Sequence, residues 1–171
     1  MSDAIERVKR QAKRLLQRVR AGEAEALAHV RELPEFRDSQ LGSDEVQHKH
    51  CLATVGRQLG FSSWQHAQRV FRGDADETDF GTLLYPRGGS AFTNEWFADY
   101  DEAQRARRTS GGFLLGYRRQ FVVVTDTFVR TMGLDPDDPD WSALGRDWVR
   151  PSDPDARARL YATLVSQRLA A

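Results

Sequence analysis

The sequence predicts an α+β fold, in which a small bundle of about four helices precedes a small α+β module with a short antiparallel sheet. Before residue 73, apolar residues recur at spacings of three and four, which is typical of helices buried along one side. After residue 79, aromatic residues, glycines and a β-branched run predict strands and turns. The stretch 73–79, GDADETD, is acidic and lacks an apolar anchor. We therefore predict a helical module over 1–72, a linker over 73–79 and an α+β module over 80–171.

The first two helices are predicted from one apolar stripe and two stop signals. The stripe of the first helix consists of Ile5, Val8, Ala12, Leu15, Leu16 and Val19. Gly22 suits the position after a helix, where a left-handed backbone is common. A second helix is predicted over about 23–33, and Pro34 stops it.

The third and fourth helices complete the predicted bundle. The third is predicted over about 44–59, with Ser43 as its N-cap and Gly60 after its end. In the fourth, Ser62 and Gln65 have the spacing of a capping box. Short connections between the four helices predict hairpins that pack on each other.

The second module mixes strands and helices. The predicted elements are a strand over 80–86, a helix over about 94–108, strands over 113–117 and 120–125, short helices over 126–132 and 139–144, and a last helix from about Ser152. The run FVVV at 121–124 is the strongest β signal, because β-branched side chains fit a half-buried pleated surface. Asp138 is the predicted cap of the helix at 139–144, and Asp155 completes a capping-box spacing in the last helix.

Composition predicts a folded protein without a global pull toward polyanions. Hydrophobic residues make up 40% of the 171 residues, and charged residues 29%, which is ordinary for a globular chain. The formal net charge is zero. Residues 1–73 carry 13 Lys/Arg and 9 Asp/Glu, whereas residues 74–171 carry 12 and 16. The opposite excesses fit two modules of different character and permit contact between them.

Cysteine content and hydropathy predict a cytoplasmic protein. Cys51 is the single cysteine, so an intramolecular disulfide is impossible and a reducing compartment is favoured. The sequence near the N-terminus has no apolar run of the length that a signal peptide needs, and no stretch approaches the roughly 20 apolar residues of a membrane span.

A glycine pair before the helix predicted at 94–108 is a candidate anion site. Backbone N–H groups of the turn at Arg87, Gly88 and Gly89 could hold an anion at the helix N-terminus, with Asn94 nearby. The turn lacks the Lys-Ser/Thr ending of a P-loop and the third glycine of a dinucleotide-binding fingerprint. An ordinary turn is the alternative.

Two arginines between the predicted strands form a second candidate. Strand alternation places at least one of Arg118 and Arg119 on a face with apolar residues. One alternative is an edge arginine extended into water, and the other is a buried guanidinium that pairs with Asp147, with Asp126 or with an acidic ligand. In the second case Tyr117 and Arg118 would orient an anion that the glycine turn binds.

Other patterns do not support a reaction. His48 and His50 are two residues apart on a predicted helix, so they cannot share one metal ion. The acidic run that starts at Asp135 has Asp140 where a calcium loop needs glycine. No nucleophile–base motif is present. The sequence therefore predicts no catalytic residue, no metal site and no cofactor.

Two segments resemble known bacterial sequences. The runs AKRLLQRVRAGEAEAL and CLATVGRQLGFSSWQHAQRVF, within residues 9–71, resemble a helical module that often precedes bacterial ankyrin repeats. That resemblance implies a small helical bundle with an interaction role. The runs YPRGGSAFTNEWFADYDEA and GGFLLGYRRQFVVV resemble a group of uncharacterised bacterial proteins, which implies a bacterial origin and no particular activity.

Three functions are predicted in order of preference. The first is a non-enzymatic binding or regulatory protein whose helical module contacts another protein. The second is an enzyme or binder of a small anionic ligand that uses the glycine turn and the nearby arginines. The third is nucleic-acid binding through the basic face of the first helix, which carries Arg7, Arg10, Lys13, Arg14 and Arg18.

Overall fold

The computed structural model describes residues 3–37, 41–86, 89 and 92–170. It confirms the predicted α+β class, with helices first and a region of helices and a small antiparallel sheet after them. The helices are α1 Asp3–Arg20, α2 Ala24–Arg31, α3 His48–Gln58, α4 Trp64–Arg72, α5 Tyr100–Ser110, α6 Asp126–Met132, α7 Pro139–Ala143 and α8 Pro154–Ala170. Short 3-10 turns lie at Pro34–Phe36 and Ser43–Glu45.

The N-terminal helices follow the predicted apolar pattern, with corrections at their starts. The stripe of α1 is buried except for the half-buried Leu16, and Gly22 has the left-handed backbone expected after the helix. Ser43 begins a separate 3-10 turn, so α3 begins only at His48. The cap of α4 is Ser63, whose hydroxyl accepts the N–H of His66; Ser62 instead bonds the imidazole of His66.

The sheet consists, within the described residues, of β1 Glu95–Phe97, β2 Phe113–Tyr117 and β3 Gln120–Val124 in the order β1-β3-β2. β2 and β3 form a hairpin in which Tyr117 pairs with Gln120. Arg118 and Arg119 are therefore the two turn residues, and both are exposed. This settles the alternatives for the two arginines in favour of exposure to water.

Two predictions for residues 80–108 were wrong. Residues 80–86 do not form a strand, because Gly81 has φ 66° and the N–H of Tyr85 closes a turn on the carbonyl of Thr82. The helix predicted from Asn94 begins at Tyr100, because the Asp99 carboxylate caps it by accepting the N–H of Glu102. The residues before this cap form β1 instead.

The C-terminal helices agree with the prediction apart from one cap. Asp138 caps α7 through the N–H of Asp140. At α8, the carboxylate of Asp153 accepts the N–H groups of Asp155 and Ala156. Asp153 is therefore the cap, and the helix begins one residue later than a cap at Ser152 would place it.

The two faces of the sheet contact different partners. Phe113, Leu115 and Val122 face a large hydrophobic cluster that also contains buried residues of α1, α4 and α8. Leu114 and Val123 face α5 in a smaller cluster. α1 packs against both α3 and α8. The helices before and after the segment 73–79 therefore share one apolar core with the sheet. The division into a helical module over 1–72, a linker over 73–79 and an α+β module over 80–171 stays a prediction.

Candidate functional site

The residues predicted to bind an anion do not form one described site. Arg87 and Gly88 lie outside the described residues. Gly89 is buried against the ring of Tyr85, and the same ring lies 5.1 Å from that of Tyr117. Gly89 therefore packs against the Tyr85 ring, and any larger side chain at this position would collide with that ring.

Asn94 and Arg118 differ in their surroundings. The side-chain amide nitrogen of Asn94 is buried and has no hydrogen-bond partner among the described residues. Arg118 is exposed, has φ 50°, and its guanidinium lies 5.8 Å from the centre of the Tyr117 ring. Neither side chain lines the cleft described next.

A cleft of about 590 Å³ lies where the end of α4 and the segment 73–80 meet the sheet and the start of α8. Its lining residues are Val70, Arg72, Gly73, Asp74, Ala75, Glu77, Thr78, Phe80, Ala98, Tyr100, Arg119, Phe121, Val149, Arg150, Pro151, Pro154, Arg157 and Tyr161. This volume is within the range of small-molecule sites, about 300–1,000 Å³, and such sites often lie between structural units.

Aromatic rings form one side of the cleft. The rings of Tyr100 and Phe121 lie 5.8 Å apart, and those of Phe121 and Phe80 lie 6.0 Å apart, each pair edge to face. Both spacings are typical of favourable aromatic pairs. The three rings therefore form a continuous apolar row, which we call the aromatic row.

The charges of the cleft are mainly positive. Arg72, Arg119, Arg150 and Arg157 line it, against the carboxylates of Asp74 and Glu77. Glu77 already pairs with Arg69 at 2.7 Å. Burial opposes ionisation of Glu77, but the N–H of Asp79 and the Arg69 guanidinium outweigh it and lower the pKa of this carboxyl. Among the described residues, Arg72 and Arg119 have no ion-pair partner, so positive charge is left over for a ligand.

Arg150 is held in place by its neighbours. Its guanidinium carbon lies 3.8 Å from the centre of the Tyr100 ring, and its backbone N–H donates to Asp147 Oδ1 at 2.9 Å. Tyr100 in turn donates its hydroxyl to Asp147 Oδ2 at 2.5 Å. Asp147 therefore contacts both residues of the stack.

The Tyr100 hydroxyl is a poor acid in this setting. Burial, the hydrogen bond to Asp147 and the negative charge of that carboxylate raise the pKa of Tyr100 to about 12. At neutral pH the phenol stays protonated and donates to Asp147, while Gln104 Nε2 donates to the phenol oxygen at 3.0 Å. This arrangement suits a fixed structural donor.

Arg157 is fixed differently. Its Nη1 donates to the carbonyl of Trp148 at 3.2 Å. Gly73, which ends α4 with φ 71°, leaves room for the guanidinium, because a Cβ at this position would overlap Nη2 of Arg157. Glycine is required here both by the left-handed backbone and by the close approach of an arginine.

The segment predicted as a linker forms a wall of the cleft. Nδ1 of the buried His66 accepts the N–H of Ser62, so Nε2 carries the proton and donates to the carbonyl of Asp79 at 2.7 Å. Farther along, the N–H of Phe80 donates to the carbonyl of Arg118 at 2.8 Å. Two hydrogen bonds thus tie the C-terminal end of the segment to the fold.

Sequence reasoning missed most of this site. It considered Asp147 as a partner for the hairpin arginines, whereas the carboxylate is 5% exposed and bonds Tyr100 and the backbone of Val149 and Arg150. The one available signal was a carboxylate followed directly by two apolar residues, Trp148 and Val149, in the run GRDWVRP. Trp141 and Trp148, the other large aromatic residues near Asp147 in sequence, are buried in the core.

Neither the rest of the described fold nor the comparisons with known proteins assign a further site. Within the described ranges, no three His, Cys, Asp or Glu side chains come together in a way that could hold a metal ion. None of the described helices has the length and apolar character needed to cross a membrane. No family model matches the chain, and the comparisons with characterised proteins and with solved structures found none that matches.

Proposed function

We propose that this protein is a non-enzymatic binding protein whose cleft takes a small anionic molecule with a flat apolar part. The observation that carries the proposal is the combination of four arginines with the aromatic row in one cleft of about 590 Å³. The proposed ligand-binding residues are Arg119, Arg150 and Arg157, in place of the predicted glycine turn. The chemical class of the ligand stays the one that the sequence analysis gave as its second hypothesis.

Arginine and aromatic rings supply different parts of the binding free energy. A guanidinium recognises carboxylate and phosphate through charge-assisted hydrogen bonds, which are roughly twice as strong as neutral ones. The aromatic row offers apolar area, at about 25 cal/mol per Å² removed from water. A ligand that carries both an acid and a ring uses both features at once.

The test is a calorimetric titration of the full chain with a panel of aromatic carboxylates and phosphates. We expect at least one member to bind, and Arg150→Gln to weaken that binding about tenfold, the effect of losing one charged hydrogen bond. Arg118→Gln is the matched control, since Arg118 is an exposed arginine outside the cleft.

Two results would contradict the proposal. One is that no member of the panel binds, or that Arg118→Gln weakens binding as much as Arg150→Gln does. The other is chemical turnover of a bound ligand, followed by NMR of the ligand, that disappears in a cleft variant. That outcome would make the protein an enzyme and would overturn the non-enzymatic part.

A further inference from the structure

We infer that Asp147 is a positioning residue that holds the Arg150 guanidinium flat on the Tyr100 ring, so that the cleft selects ligands with a two-oxygen acidic group, carboxylate or phosphate, on a flat apolar body. This inference rests on the proposed function. It adds which arginine binds the acidic group, which residue positions that arginine, and which chemical features the ligand needs.

The Asp147 carboxylate is buried and fully used. Oδ1 accepts the N–H groups of Val149 at 3.0 Å and Arg150 at 2.9 Å, and Oδ2 accepts the Tyr100 hydroxyl. Among the described residues, no Lys or Arg side chain forms an ion pair with it. Burying a charge is costly unless it is hydrogen-bonded, and the three donors meet that cost. They also fix the backbone of Arg150 and the ring of Tyr100 relative to each other.

The guanidinium of Arg150 is free to donate hydrogen bonds to two oxygens of an acidic ligand. Its guanidinium carbon lies over the Tyr100 ring, 3.8 Å from the ring centre, a distance that suits stacking of the guanidinium on the ring face. Within the described part of the chain, the Arg150 side chain donates no hydrogen bond. The donors of a stacked guanidinium lie in its plane and form a fork, which matches carboxylate and phosphate in a bidentate way. Holding the group before binding lowers the entropy cost of binding.

The apolar body of the ligand has a defined place. The ring of Tyr100, which carries Arg150 on its face, contacts Phe121, and Phe121 contacts Phe80. A flat group attached to the bound acid can therefore lie along the aromatic row. Inorganic phosphate offers the acid alone, and phenyl phosphate and benzoate offer the acid with a ring.

The first experiment needs no ligand. Arginine side-chain NMR of the full protein detects the stacking of Arg150 on Tyr100 through the ring-current shift of the Arg150 Hε. The Arg150 signal is assigned by its loss in Arg150→Lys. We expect an upfield Hε in the wild type, and movement toward the position of a solvated arginine in Asp147→Asn. Tyr100→Phe, which keeps the ring and removes only the hydroxyl, should show a smaller movement. A solvated position in the wild type, or no change in Asp147→Asn, overturns the inference.

The second experiment measures affinity for three probes. We expect phenyl phosphate or benzoate to bind at least about tenfold more tightly than inorganic phosphate, as the added ring contact implies. Preference for phenyl phosphate assigns a phosphate monoester, and preference for benzoate assigns a carboxylate. Equal affinity for inorganic phosphate and both ring probes contradicts the selectivity.

A double-mutant cycle separates positioning from structural damage. If Asp147 acts through Arg150, Asp147→Asn weakens binding in the wild type but has little further effect in Arg150→Lys. Additive losses mean that Asp147 does not act through Arg150, and they overturn the inference while the proposed function stands. If neither ring probe nor phosphate binds the wild type, the proposed function fails, and the ring-current shift still decides whether Arg150 is stacked.

Discussion

The outer face of α1 and the cleft are both rich in exposed arginine, but they differ in what surrounds and holds the guanidinium groups. On α1, Arg10, Lys13 and Arg14 are exposed on a convex helix and have no ion-pair partner among the described residues. In the cleft, Arg150 is stacked on a ring and Arg157 is bound to a backbone carbonyl. A ligand can be enclosed only in the second case.

The difference shows that the number of cations does not identify a binding site. A solvated arginine loses side-chain entropy when it binds an anion, and water screens its charge. A guanidinium that is already fixed beside apolar walls avoids part of both losses. The comparison therefore predicts large effects for substitutions in the cleft and small ones on α1.

The largest effect is expected when both fixed arginines of the cleft are removed. Arg150→Gln/Arg157→Gln should weaken binding of the best aromatic acid by at least about 100-fold, because two charged hydrogen-bond donors are lost. Calorimetric titration measures the change. If the double variant binds as tightly as the wild type, the cleft is not the binding site.

The next effect concerns the glycine that makes room for Arg157. Gly73→Ala should lower the free energy of unfolding by about 1 kcal/mol, because alanine is disfavoured in the left-handed region. It should also weaken ligand binding by displacing the guanidinium. Urea denaturation and titration measure the two effects.

Gly22→Ala is the matched control for Gly73. Gly22 also follows a helix with a positive φ, 82°, but a Cβ there would meet no other atom within 4 Å. Both variants should lose similar stability, and only Gly73→Ala should lose affinity. Equal affinities in the two variants would show that the position of Arg157 does not matter for binding.

A smaller effect is expected at alkaline pH. The folded protein raises the pKa of Tyr100 to about 12 from an unfolded value of 10.0, so the unfolded chain releases this proton first. The contribution to stability is complete below pH 10 and is lost as the pH rises toward 12. Tyr100→Phe should flatten this decline in urea denaturation. Burial also raises the pKa of Tyr161, which supplies a remaining slope. A decline of unchanged steepness in Tyr100→Phe would contradict the prediction.

The smallest effect is expected on α1. Arg10→Gln/Arg14→Gln should change the free energy of unfolding by no more than about 0.5 kcal/mol and leave ligand affinity as it was, because both residues are exposed and unpaired within the described chain. Electrophoretic retardation of nucleic acid at low salt, lost in this variant, would instead favour the third predicted function.

Local patterns predicted an element correctly where its buried residues recur at regular spacing. They failed where the conformation of a segment depends on contacts with residues far away in sequence. The stripe of α1 and the run at 121–124 each indicate one element, and both elements are present. Residues 80–86 look like a strand, but Gly81 has a positive φ, and Leu83 and Leu84 are buried in a turn that the N–H of Tyr85 closes on Thr82. The cleft joins Gly73, Tyr100 and Arg157, which are far apart in sequence. No spacing rule connects such residues.

The central claim is that the fixed arginines of the cleft, and not those of α1, bind the anion. Backbone amide NMR during a titration with phenyl phosphate tests it most directly. We predict shifts at Arg119, Val149, Arg150 and Arg157 that saturate together, with the amides of 10–20 unchanged. Shifts confined to 10–20, or no saturable shift at any amide, would contradict the account.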